Sequence, residues 1–214
     1  MLSQLRKRKN RRGQPVREST VQHYLSAVSA VLSDAKRNEI IQTNPARMID
    51  LPTTNRMEQH IPTVQEVQRL LQALSMEPRH FRVFYLLAMA TGCRRGELCA
   101  LQCQDIDWEQ RSIHICRSAV KITGDEIFVK EPKTRSGDRY VYFSAQMENL
   151  LREYRRACQY ITTIYDEREL DTNDFLFRRQ GTRLPMTPTT FTWRFKCILK
   201  KNGLPQELNV HSLR

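Results

Sequence analysis

An otherwise helical chain of 214 residues changes its hydrophobic period between Ser112 and Phe143, and that interruption constrains the fold most. Ser112 to Cys116, Glu126 to Lys130 and Arg139 to Phe143 read as short strands, with Thr123-Gly124-Asp125 and Ser136-Gly137-Asp138 as turns. On both sides apolar residues return at helical spacing. Three strands so close in sequence predict one small antiparallel sheet inserted early in a helical domain. The expected class is therefore mainly α with a three-stranded antiparallel sheet, α+β.

The helices flanking the sheet carry their own punctuation. Thr63-Val64-Gln65-Glu66 has the form of a capping box, and Val64, Val67, Leu70, Leu71 and Leu74 supply an apolar face. A more buried helix follows from about Arg79 to Ala90 and ends at Gly92. Arg94 to Leu101 reads as a short helix. Beyond the strands, helices are predicted over Ala145 to Ile164 and from Thr187-Pro188 to Lys200, with a last one beginning near His211.

Upstream, Ser19 or Thr20 can cap a helix in which Val21, Tyr24, Leu25, Val28, Val31, Leu32 and Ala35 recur. One helix cannot bury such a stripe alone, so either it packs on the following domain or, as favoured here, its partner helices lie further upstream. Asn44-Pro45 restarts structure by turn chemistry. The resulting division is 1–18 as a basic arm or linker, 19–52 as part of a helical domain, 53–62 as a linker and 63–214 as a second domain.

Composition narrows the partner. A 40% apolar content argues against wholesale disorder, and the longest apolar run, Phe81 to Ala90, is too short to span a membrane. No signal peptide opens the chain, and six scattered cysteines (93, 99, 103, 116, 158, 197) form no CxxC pair. This predicts a reducing, cytoplasmic setting and no metal site. The net charge is +12, which favours a polyanion. Arg6, Lys7, Arg8, Lys9, Arg11 and Arg12 fall within seven residues, either as a solvated arm or as a phosphate-binding one.

Three places carry chemistry. Arg94, in Ala90-Thr91-Gly92-Cys93-Arg94-Arg95-Gly96-Glu97-Leu98, follows a helix-ending glycine and can be presented at an element boundary. Its planar fork suits phosphate. The plain alternative is a surface ion pair with Glu97, worth under about 1 kcal/mol. Arg95 points about 100° away around a helix, towards solvent or backbone phosphate. Lys133, in Glu131-Pro132-Lys133-Thr134-Arg135-Ser136-Gly137-Asp138-Arg139, sits at a strand-turn-strand tip, where Lys130, Arg135 and Arg139 compete with it. His211 and Arg214 stand at i and i+3, so an imidazole and a guanidinium can face one phosphate.

In that order, the arginine box, the basic hairpin and His-Ser-Leu-Arg resemble the tyrosine recombinases, the phage-integrase family. The resemblance covers about Ser19 to Arg214. It implies a catalytic domain preceded by part of a helical core-binding domain, and DNA cleavage and rejoining through a 3′-phosphotyrosyl intermediate. By that match Arg94 and Arg214 clamp the phosphate, Glu97 supports the site, Lys133 protonates the leaving 5′ oxygen and His211 assists proton transfer. Arg6, Lys7, Arg8, Lys9, Arg11, Arg12, Arg95, Arg135 and Arg139 become candidate DNA contacts. No cofactor, metal or ATP is implied, because side chains are the cations and the covalent link preserves the ester.

The implied partners are double-stranded DNA and other protomers, as a tetramer on DNA, in a prokaryotic cytoplasm at the nucleoid. The family's nucleophile follows the second arginine, whereas all seven tyrosines precede Arg214. The expectation is an internal fragment of a longer recombinase, inactive by itself, with Met1 not the natural start. Two other readings share the charge: a non-catalytic DNA-binding module and a type IB topoisomerase-like enzyme. RNA binding is possible from charge alone, though no aromatic-rich sheet motif supports it.

Overall fold

The computed structural model describes residues 7–9, 13–49, 60–122, 124, 126–131 and 137–213. Expectations for Arg6, Arg11, Arg12, Lys133, Arg135, Arg214 and most of the 53–62 linker lie outside these residues. The chain divides into two compact units, Met1–Glu58 and Gln59–Arg214.

The first unit is built on α1 (Glu18–Arg37), whose N-cap is Arg17 without a side-chain cap. Ser19 and Thr20, expected as caps, lie in its first turn instead. Glu18 at the start and Lys36 and Arg37 at the end suit the helix dipole. Val21 and Leu25 are its buried residues, while Val31 is mostly exposed. Asn44 introduces a 3₁₀ turn, Pro45–Met48, and its Oδ1 accepts from Ala46 N–H at 3.0 Å. The same amide donates to Ser29 O at 3.0 Å and to Ser33 Oγ at 2.8 Å, tying the turn to α1. Lys7, Arg8 and Lys9 are exposed.

The second unit opens with α2 (Val64–Ser75), where the Thr63/Glu66 capping box is formed in both directions. Leu70, Ala73 and Leu74 are buried, but Val64 and Leu71 are exposed, so the apolar stripe is narrower than its sequence suggests. Helix α3 (Arg79–Thr91) buries Val83, Phe84, Tyr85, Leu87 and Ala88. It stops at Gly92, whose φ of 63° is left-handed and open to glycine without strain. A five-residue helix, α4 (Arg95–Cys99), follows.

The strands are β1 (Ile106–Asp107), β2 (Ser112–Ile115), β3 (Ser118–Lys121), β4 (Ile127–Lys130) and β5 (Arg139–Tyr142). A three-stranded antiparallel sheet is present, but its membership differs from the sequence expectation. Its order is β1-β2-β5, with Ile113 opposite Val141 and Ile115 opposite Arg139. The expected middle strand, Ile127–Lys130, instead pairs with Ser118–Lys121 in a separate hairpin. Closing that hairpin across five residues around Gly124 (φ +84°) costs little loop entropy. Ser118–Lys121 was missed because it is four residues long and carries one fully buried side chain, Ala119.

Helix α5 (Ala145–Tyr165), capped by Ser144, packs on α3. Helix α6 (Pro188–Lys201) buries Phe191 and Phe195. Phe84 stacks on Phe191 with centroids 3.6 Å apart, and the Tyr85 hydroxyl donates to Phe191 O at 2.6 Å. This aromatic core joins α3 to α6 and brings their ends together. The last described element is a 3₁₀ turn, Val210–Leu213.

Candidate functional site

Arg94 is the N-cap of α4, the first residue in extended backbone after Gly92 and Cys93. The left-handed glycine turns the chain sharply, so α4 starts at the surface and presents Arg94 there. Its side chain is 62% exposed while that of Glu97 is 7% exposed. Glu97 Oε2 accepts from the Arg94 backbone N–H at 2.7 Å, and Oε1 accepts from Arg94 Nη1 at 2.9 Å. The ion pair that the spacing allowed is therefore formed, and its acid is buried rather than solvated.

A second arginine reaches the same carboxylate. Arg139 donates through Nη2 to Oε2 at 2.8 Å and through Nη1 to Oε1 at 3.2 Å, and its Nη2 also lies 3.9 Å from Cys93 Sγ. Burial by itself would raise the Glu97 pKa. The hydrogen bonds from Arg139 and from the Arg94 backbone and side chain outweigh it and hold the carboxyl below its ordinary value. Arg139 was expected among the DNA contacts; the geometry commits its guanidinium inward, to Glu97.

Gly96 fixes the neighbouring wall. A Cβ there would lie 2.6 Å from Ser118 Oγ and 2.8 Å from Ala119 O, so only glycine permits α4 to lie this close to β3. Lys121, at the end of β3, lines the same groove as Arg94. On the other wall Arg95 donates to Thr192 Oγ1 of α6. His211 stands on the terminal 3₁₀ turn, where Asn209 Oδ1 accepts from the backbone N–H groups of His211 (2.8 Å) and Ser212 (3.2 Å). Lys196 of α6 donates to Leu208 O at 2.7 Å and anchors the segment before it.

These pieces enclose one groove of about 480 Å³ lined by Arg94, Arg95, Lys121, Thr189, Thr192 and His211, among others. Arg94 and His211, which the sequence paired from distant segments, thus share a cavity. Lys133 and Arg214 fall outside the described residues. Sequence reasoning missed Lys121, Thr189 and Thr192, whose local context carries no signal. Asn209 was readable, since an asparagine ahead of a short turn commonly caps it. No tyrosine lines the groove among the described residues. A more apolar cavity of about 420 Å³ lies between Tyr154, Cys158, Ile161, Leu176 and Met186. Arg79, Arg178 and Arg179 also line it, and Arg178 is paired with Asp166 at 2.6 Å.

Among the described residues no cluster of three or more His, Cys, Asp or Glu side chains could hold a metal ion. No described helix is long and apolar enough to cross a membrane.

The second unit is thus a helical domain with a small antiparallel sheet and, at one helix start, a groove lined by Arg94, Arg95, Lys121 and His211. The model of the phage integrase family matches residues 62–214, and the chain belongs to that family. It is similar to the ICEBs1 integrase of Bacillus subtilis, 24% identical over 195 residues that cover 91% of this chain and 52% of that protein. The transposase from transposon Tn916 of Enterococcus faecalis is 23% identical over 206 residues, covering 91% and 49%. The chain thus spans about half the length of these curated relatives. Among solved structures, the Tn1549 transposon integrase in complex with transposon right end DNA superposes with a TM-score of 0.76 at 20% identity, covering 92% of this chain and 64% of that one. A lambda integrase dimer bound to a COC′ core site gives a TM-score of 0.63 at 19% identity, covering 92% and 62%. At such identities the superpositions show the fold.

Proposed function

We propose that this chain carries the catalytic groove of a site-specific DNA recombinase, which cuts and rejoins strands through a 3′-phosphotyrosyl intermediate. The observation that carries the reading is the convergence of Arg94 and His211 on one groove. In the step proposed, a tyrosine oxygen bonds to phosphorus as the bond to the 5′ oxygen breaks. The tyrosine proton leaves with assistance from His211, and Lys133 supplies a proton to the departing 5′ oxygen. A free 5′ hydroxyl then reverses the exchange. Arg94, with Arg214, donates to the non-bridging oxygens where charge develops, so catalysis rests on position and electrostatics.

The partners proposed are duplex DNA and further protomers; lambda integrase forms a tetramer bound to a Holliday junction. Residues 19–52 are proposed as part of a core-binding domain, with 63–214 as the catalytic domain and 1–18 and 53–62 as connecting segments. Bacterial relatives from prophages and transposons support action on DNA in the cytoplasm, at the nucleoid.

The test is a nicked suicide duplex incubated with the protein expressed from its complete reading frame, followed by SDS electrophoresis. A covalent protein–DNA band is expected, and Arg94→Ala should reduce it at least about a hundredfold with little change in DNA affinity. Equal loss of both would make Arg94 an affinity contact only. Binding without any covalent band would favour a non-catalytic DNA-binding module.

A further inference from the structure

Two arginines share one buried carboxylate beside the groove, and that stoichiometry has a consequence for phosphate binding. Alone with Arg94, Glu97 would form a neutral pair, and a carboxylate facing one guanidinium takes two of its donors in a parallel fork. Here Arg139 occupies both carboxylate oxygens, at 2.8 and 3.2 Å. Glu97 consequently takes one side-chain donor from Arg94, Nη1, together with its backbone N–H. Among the described residues Arg94 Nε and Nη2 make no hydrogen bond, and the side chain remains 62% exposed. With Arg139 the three groups carry a net +1; without it they sum to zero.

We propose that Arg139 is a positioning residue for the phosphate clamp. By satisfying Glu97 it leaves Arg94 held by one edge, with a free donor edge and an uncancelled charge towards the groove. Arg139 itself does not touch the phosphate, since its side chain is 29% exposed and turned onto Glu97 and Cys93. Its place at the start of β5, opposite Ile115, fixes that direction through the sheet rather than through α4. This inference rests on the reading of Arg94 as a phosphate ligand.

Inorganic phosphate is the probe, titrated into the complete protein while the Arg94 side-chain N–H resonance is followed by NMR. Arg139→Gln should weaken phosphate binding about tenfold, because Glu97 then neutralises Arg94. Arg139→Lys, which keeps the charge, should stay within about threefold of the parent. The double variant Arg139→Gln with Glu97→Gln should regain most of the lost affinity, since no carboxylate remains to cancel Arg94. A merely structural role for Arg139 predicts the opposite for the double variant, a further loss. Parent-like binding by Arg139→Gln, or no recovery in the double variant, overturns the proposal. Should Arg139→Gln fail to fold, the double variant decides alone: binding within about threefold of the parent supports the proposal and a tenfold loss overturns it. Arg94→Gln separates the two levels. If it leaves phosphate binding intact, the clamp reading fails; if it abolishes binding while Arg139→Gln binds phosphate like the parent, only the role of Arg139 fails.

Discussion

Glu97 shows how one residue's environment can change the meaning of a short motif. At three residues from Arg94 it could have been half of a solvent-exposed pair of little energetic consequence. Its side chain is instead 7% exposed, and four side-chain and backbone donors converge on it. Its carboxyl is held below the ordinary value, so the pairing stabilises the fold in full above that value and is lost as pH falls through the lowered one. Other acids, including Asp174 and Glu148, are lowered as well, so the difference between two proteins isolates the contribution of Glu97. Urea midpoints of the parent and of Glu97→Gln should diverge above the ordinary carboxylate range and converge as pH falls below it; a pH-independent difference would contradict the assignment. The sequence made Arg94 and Glu97 visible because their motif is local. It concealed the bond from Arg139 to Glu97, which spans two elements whose contact no local spacing encodes.

At the scale of elements, the approach of α4 to β3 is decided by Gly96. The glycine has ordinary helical backbone, so its role is space and not conformation. Gly96→Ala must move both Ser118 Oγ, which can rotate, and the Ala119 carbonyl, which cannot move without its strand. An overpacking cost of about 1–3 kcal/mol is expected in urea denaturation. Because Arg94 and Lys121, on the two sides of that contact, both line the groove, covalent adduct formation should fall along with stability. Loss of stability without loss of adduct would separate the wall from the groove. Helix starts and stops were legible here: Thr63 with Glu66 and the left-handed Gly92 act through bonds within a few residues. Strand pairing was less so. Three strands are where the sequence places them, yet two short further ones are not foreseen: Ile106–Asp107 joins the sheet, and Ser118–Lys121 captures Ile127–Lys130. Pairing depends on which edge is available in space.

For the whole molecule, the +12 net charge sets the expected behaviour towards nucleic acid. Binding to duplex DNA should weaken about tenfold or more between roughly 50 and 200 mM salt, as phosphate contacts release counterions. Fluorescence anisotropy across a salt series tests this, and affinity independent of salt would exclude a backbone-dominated interface. By itself the sequence determined the mainly helical class, the positions of most helices and the two chemical motifs at Arg94 and His211, all consequences of spacing, caps and charge along the chain. Only the tertiary structure decided that these motifs share a groove, that Lys121, Thr189 and Thr192 line it, and that Arg139 turns inward to Glu97. Periodicity is a local property that each segment carries alone. A groove is made where α3, packed on α6 through Phe84, Tyr85 and Phe191, brings distant helix ends and a hairpin together, and that meeting exists only once the core has formed.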